Sequence, residues 1–197
     1  MEWPIEPGEY EVCDPKKSIA VVTLADDIEV PRDKIAKFGK VRTENLGLER
    51  IIVNTISNPC IRYLVICGEE IKGHRSGASL VALWKNGLDK NRKIIGAPGA
   101  LPVIQNLPRN FVDRFREQVE VVDLIGETDA KRIEKSINSL KKKDAFKGEG
   151  LNFKDYAVKE EHIARELVPT GGNVVFVSQE YGVAVDVDSG LVIESGA

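Results

Sequence analysis

The stretch IRYLVICGEEIKGHRSGASLVAL, residues 61–83, decides the fold. Ile61, Leu64, Val65 and Ile66 form a short apolar block that suits a strand buried on both faces, as in a parallel sheet. The block stops at Cys67-Gly68, a polar loop carries His74, and a helical pattern then runs from about Ser76 to Asn86. In that pattern Leu80, Leu83 and Trp84 face inward and Gly87 is the stop. Ligands of open α/β sheets collect at the carboxyl ends of such strands. Gly68, Gly73 and Gly77 let the backbone approach a bulky partner without Cβ atoms in the way. His74 sits among them. The only other histidine, His162, falls in the helical KEEHIAREL stretch and reads as a surface residue.

At 197 residues the chain suits one domain with a small appendage and can bury a sizeable core. Lys and Arg number 28 against 31 Asp and Glu, so no charge excess points to nucleic acid or to an anionic membrane surface. Cys13, Cys60 and Cys67 form no CxxC pair, which argues against a disulfide framework or a zinc site. They read as small apolar residues in a reducing compartment. MEWPIEPGEY lacks the basic end and apolar core of a signal peptide. Leu167 to Gln179 is too short and Gly-rich for a membrane helix of about 20 apolar residues. The expectation is a cytoplasmic protein with no membrane span of its own.

Working outward, Trp3 to Lys17 holds Pro4, Pro7 and Pro15 and reads as an extended arm laid over the body by Trp3, Ile5 and Tyr10. IAVVTL, Ile19 to Leu24, is a buried strand. Asp26 to Gly39 reads as an irregular loop with a short helix from Pro31. Thr43 is the expected N-cap of a helix ending at Asn58-Pro59, with Glu44 complementing its positive end. That N-terminus, Thr43-Glu44-Asn45, is either an anion or cofactor contact or an ordinary cap. A short third strand is expected around Lys93 to Ala97. The small residues Gly96, Ala97 and Gly99 then form either a wall for a flat ligand or a tight turn. Pro108 opens a helix to about Glu117, Val119 to Ile125 is a fourth strand, and Asp129 to Lys142 is a surface helix.

These alternations imply an α/β fold, a mostly parallel sheet with helices on both faces, over residues 1–148. Residues 149–197 read as an α+β extension. It holds a helix around Lys159 to Leu167 and a hairpin or meander formed by Val174 to Val177, Val183 to Val187 and Leu191 to Ile193.

Five ordered blocks resemble the A subunit of tetrahydromethanopterin S-methyltransferase, the corrinoid-carrying component of an archaeal methanogenesis complex. They are IAVVTL from Ile19, TENLG from Thr43, ISNPCIRYLVICGEEIKGHRSG from Ile56, IIGAPGALPVIQNLP from Ile94 and RFREQVEVVDLI from Arg114. The resemblance implies a Rossmann-like domain holding a cobamide, either hydroxybenzimidazolylcobamide or another cobalamin-type corrinoid. By the CGxExxGH stretch, His74 is implied as the axial cobalt ligand. The implied cofactor-binding set is His74, Gly68, Glu70, Gly73, Gly77, Thr43, Glu44, Asn45, Gly96, Ala97 and Gly99. The implied reaction moves a methyl group from methyl-tetrahydromethanopterin to coenzyme M, with partner subunits performing the transfers and with coupling to sodium-ion translocation in the complete membrane complex.

Two local departures stand out. The more widespread corrinoid motif DxHxxG has an acid two residues before the histidine, where this chain has Lys72, so Glu69, Glu70 or a backbone carbonyl is the expected partner of the ring. Ala78 stands where relatives favour glutamine. The resembled membrane-complex members end in a transmembrane helix, whereas this sequence ends in a polar β-rich segment, which suggests a soluble relative. A corrinoid-free regulatory or interaction module is the alternative reading. A nucleotide-binding enzyme is disfavoured because no GxGxxG or GxxxxGK[ST] follows the first strand.

Overall fold

Two runs, Ile19–Thr23 and Tyr63–Gly68, are buried at every position, and they lie side by side in parallel at the centre of a five-stranded sheet. The computed structural model describes residues 3–151 and, as backbone alone, three strands within residues 174–194. Along the chain the elements are β1 (Tyr10–Val12), β2 (Ile19–Thr23), β3 (Lys37–Lys40), α1 (Leu46–Ile56), β4 (Tyr63–Gly68), α2 (Ser76–Asn86), α3 (Arg109–Gln118), β5 (Glu120–Ile125) and α4 (Ala130–Ser139). The sheet order is β1-β3-β2-β4-β5, parallel except for β1. Met1–Phe153 and Lys154–Ala197 form separate compact units. In the second, β6 (Val174–Ser178), β7 (Val183–Asp186) and β8 (Val192–Glu194) make an antiparallel sheet in sequence order, as the alternating pattern predicts. The helix expected over Lys159 to Leu167, and His162, lie outside the described residues.

Side chains alternate across the sheet and so feed two layers. Ile19, Val21, Tyr63, Val65 and Cys67 cluster with Ile35 and with Ile133 and Ile137 of α4. Ala20, Val22, Leu64 and Ile66 are buried on the opposite face. There α1 and α3 pack together, and a Cβ on Gly77 of α2 would lie 2.8 Å from Leu24 Cδ1. Burial pushes the Cys67 thiol up to about 12, so it stays a neutral core group. No helix among the described residues is long and apolar enough to cross a membrane.

The connections position the site. β2 leads to β3 on one side, while β4 leads through α2 and α3 to β5 on the other. Strand order therefore reverses between β2 and β4, and the crevice at their carboxyl ends is where such sheets bind ligands. The loop carrying His74 leaves β4 at that crevice.

Three expectations are corrected. The polar loop from Asp26 to Gly39 ends in β3, and part of the extended arm is β1, paired to it through Tyr10 and Gly39. KFGK has one large apolar residue and no β-branched one, so β3 gave no periodic signal. Lys93 to Ala97 is not a strand of the sheet. It forms only isolated bridges, Leu88 to Ile94 and Lys93 to Val103, because Arg92 (φ 62°) and Gly96 (φ 76°) bend the chain on either side of the short apolar pair.

Gln118 closes the joint between α3, α1 and β4. Its Nε2 donates to the carbonyls of Thr55, Asn58 and Ile61 at 2.9, 3.0 and 3.1 Å, and the residue is 1% exposed. Gln118→Leu keeps the volume but leaves these buried acceptors unmatched. It is expected to destabilise the fold by about 1–3 kcal/mol in urea unfolding. An unchanged midpoint would show that the carbonyls find other partners.

Candidate functional site

His74 occupies a turn between β4 and α2, with its amide bonded to Ile71 O at 3.0 Å. The next residue, Arg75, takes the left-handed conformation (φ 50°) as the N-cap of α2, an uncommon state for a non-glycine residue. The first turn of α2 is capped by Glu70, whose Oε1 and Oε2 accept from Ala78 N and Gly77 N at 2.6 and 3.2 Å. Both oxygens of Glu70 are thus engaged with backbone. The ring of His74 meets a different carboxylate.

That carboxylate is Glu44, thirty residues away in the chain, just before α1. Glu44 Oε2 lies 3.0 Å from His74 Nδ1, and Oε1 accepts from Leu101 N at 2.8 Å. The expected partners Glu69 and Glu70 are therefore replaced, because Glu70 is spent on α2 and Glu69 is exposed. The Glu44 side chain is 3% exposed and that of His74 is 49% exposed. Burial pushes the Glu44 carboxyl up, but the amides of Leu101 and Glu44 itself, together with His74, outweigh it and hold the pKa below the ordinary 4.5. The group is ionised at neutral pH. A carboxylate only accepts, so the 3.0 Å contact requires the proton on Nδ1, and in the neutral ring the lone pair is on Nε2, at the more exposed end.

Gly99 joins three segments. A Cβ there would lie 2.7 Å from Ser79 Oγ, 2.8 Å from Glu44 Cγ and 2.8 Å from His74 O. The expected groups Thr43-Glu44-Asn45, Gly68 to Gly77 and Gly96-Ala97-Gly99 thus converge through Glu44, His74 and Gly99. Within them the roles differ. Asn45, rather than Thr43, is the N-cap of α1 and accepts from Leu46 N, while Thr43 Oγ1 accepts from Gly47 N. Gly68 (φ 88°) turns the chain out of β4 beside Asp26. A Cβ at Gly73 (φ 91°) would meet nothing within 4 Å, and one at Gly96 would meet only Asn86, so neither touches the histidine.

Sequence reasoning missed the support for this arrangement. Buried Glu49 on α1 accepts from Asn106 N and Nδ2 at 2.9 and 2.8 Å and so holds the far end of the same excursion. A charged residue next to Leu48 and close to Ile52 was the available signal. The hydroxyls of Ser76 and Ser79 are buried without a hydrogen-bond partner among the described residues. Leu46, Ile95 and Leu101, on the segments that carry Glu44 and Gly99, are 54%, 46% and 58% exposed.

Gly99→Ala is expected to push the 96–101 segment away from His74 and to destabilise the fold by about 1–3 kcal/mol in urea unfolding. Glu44 has a folded pKa below its unfolded one. Its contribution to stability is complete above the unfolded value of 4.5 and is lost as pH falls through the folded value. Glu44→Gln should therefore flatten the acid side of the stability profile, measured by urea unfolding across that range.

The family of tetrahydromethanopterin S-methyltransferase A subunits matches residues 1–162. The A subunit of that enzyme numbered 1 in Methanothermobacter thermautotrophicus is 42% identical over 180 residues, covering 89% of this chain and 76% of the relative. The A subunit numbered 2 in Methanobrevibacter ruminantium is 43% identical over 157 residues, covering 77% and 81%. The A subunit of the Mtx methyltransferase of Methanosarcina acetivorans is 40% identical over 192 residues, covering 96% and 93%. With matches spread from the arm through the His74 crevice, the chain belongs to the A-subunit family of tetrahydromethanopterin S-methyltransferase.

Proposed function

We propose that the chain is a cobamide-binding methyl carrier, with residues 1–148 as its corrinoid-binding domain and His74 Nε2 as the axial ligand of cobalt. The proposed role is methyl transfer from methyl-tetrahydromethanopterin to coenzyme M in the cytoplasm, with partner methyltransferase subunits performing the two transfers. The observation that carries this reading is the dry Glu44 contact on Nδ1, which leaves the other nitrogen of a half-exposed ring as the donor. A metal-ligating histidine regularly gives its second nitrogen to a carboxylate in this way.

The donor set fits such a group. Among the described residues no three or more His, Cys, Asp or Glu side chains converge on one point. One outward nitrogen suits a metal whose remaining positions are filled by a macrocycle. Leu46, Ile95 and Leu101 offer apolar surface beside it, and the unpartnered hydroxyls of Ser76 and Ser79 offer hydrogen bonding near the ring. A bound cobamide supplies a cobalt centre that takes up and hands on a methyl group. The protein's part is to hold the proton on Nδ1, keep the ring in one orientation and shield the contact from water. Glu44 does the first, Leu101 N and Gly99 help fix Glu44 and the turn, and burial of Glu44 does the third.

The test is reconstitution with hydroxocobalamin, removal of excess by gel filtration, and paramagnetic resonance after one-electron reduction. The wild type should retain corrinoid and show nitrogen splitting that changes when the histidine is isotope-labelled. His74→Ala should lose that splitting. Glu44→Gln should keep it and bind corrinoid about 10- to 100-fold more weakly. No retention by the wild type, or a His74→Ala spectrum identical to it, would sink the reading.

A further inference from the structure

Beneath the N-terminal arm, on the α1 side of the sheet edge, lies a cavity of about 340 Å³ that is separate from His74. Pro7 and Tyr10 of the arm, Lys37 of β3, and Leu46, Arg50 and Ile51 of α1 line it. Asn54 fastens the arm above it. Its Oδ1 accepts from the amides of Ile5 and Glu6 at 2.9 and 2.8 Å, its Nδ2 donates to Glu6 O at 2.9 Å, and its carbonyl accepts from Trp3 Nε1 at 2.8 Å. Tyr10 Oη donates to Glu6 O at 3.0 Å, closing the same loop of chain.

Lys37 is the unusual wall. Its Nζ lies 4.6 Å from the centroid of the Tyr10 ring and 5.6 Å from that of Trp3, a cation between two aromatic faces. Burial lowers its pKa to about 8, and no carboxylate among the described residues pairs with it. The neighbouring carboxylates are engaged elsewhere, Glu9 with Arg42 and Asp27 with Lys40. Arg50, exposed and also on the lining, has no ion-pair partner among the described residues. A desolvated ammonium without an anion is costly, and ring faces recover only about 0.5–2 kcal/mol of that. An apolar cavity of this size with one or two convergent charges has the make-up of a small-molecule site.

We propose that this cavity is a second binding site, taking a flat aromatic body that carries one anionic group. Lys37, assisted by Arg50, meets the anion, and Tyr10, Trp3, Leu46 and Ile51 hold the body. Nothing in this assignment depends on a corrinoid or on His74.

The probes are naphthoate and its uncharged isostere naphthamide, titrated calorimetrically into the full chain. Naphthoate should bind one-to-one, at least about tenfold tighter than naphthamide, since a charge-assisted contact is worth about 1.5–3 kcal/mol. Lys37→Met keeps the stem and the ring contacts. It should lower naphthoate affinity to that of naphthamide without lowering the melting temperature, whereas His74→Ala should bind both probes as the wild type does. In amide spectra the shifts should fall on the Trp3 indole and the Asn54 side chain. Equal affinity for the two probes, unchanged naphthoate binding by Lys37→Met, shifts centred on His74, or no saturable binding below about millimolar concentration would each overturn the proposal. Lys37 would then serve only to pack the arm.

Discussion

Burying the carboxylate of Glu44 is the constraint around which the crevice is arranged. Stripping a carboxylate of water costs several kcal/mol, and such a group stays ionised only where donors replace the water. Here the donors come from three places: the Leu101 amide, the Glu44 amide and the His74 ring. Each belongs to a different segment of the site. Satisfying one buried charge therefore fixes the start of α1, the 96–101 segment and the turn after β4 relative to one another. Gly99 makes this possible sterically, since any larger residue would stand within 3 Å of all three.

The same device recurs nearby. Glu70 takes the amides of Gly77 and Ala78, and Glu49 takes the amide and side chain of Asn106. The long connection between α2 and α3 has almost no regular pairing of its own, only isolated bridges. Carboxylates at the start of α1 and within it supply the acceptors that a sheet would otherwise give it. This suits a ligand crevice, because an excursion held by side chains can lie across the strand ends without adding a strand to the sheet.

What was legible in the sequence follows the range of the interactions. β2, β4 and β5 are unbroken apolar runs or nearly so, and α2 begins and ends where Ser76 and Gly87 predict, because strand burial and helix termini leave local signatures. His74 was legible for the same reason, as a polar residue in a glycine-rich loop at a strand end. β1 and β3 were not, since KFGK and YEV have too few apolar residues for a periodic signal and form only by pairing with each other and with β2. The partner of His74 was invisible locally. Glu44 and His74 are thirty residues apart and meet only when the sheet reverses its order. Gln118 and Lys37 were missed likewise, because their roles lie in distant carbonyls and in ring faces from the arm.

Lys72, standing where DxHxxG has an acid, looks like a loss in the sequence and is a relocation in the structure. An acid two residues before the histidine travels with it in the same loop. Glu44 instead sits at the start of another element and is clamped by a third segment through Leu101. The proton on Nδ1 is thus held across a boundary between segments, so the ring keeps its tautomer and orientation only while the turn after β4 stays seated against α1 and Gly99. Because the Glu44 end is dry and the Nε2 end is open, the fixed end also feels a stronger field than the outward end. A change of charge or bonding at Nε2 therefore acts directly on the contact that seats the loop, which makes the geometry of the turn and the chemistry at the ring two readings of one hydrogen bond.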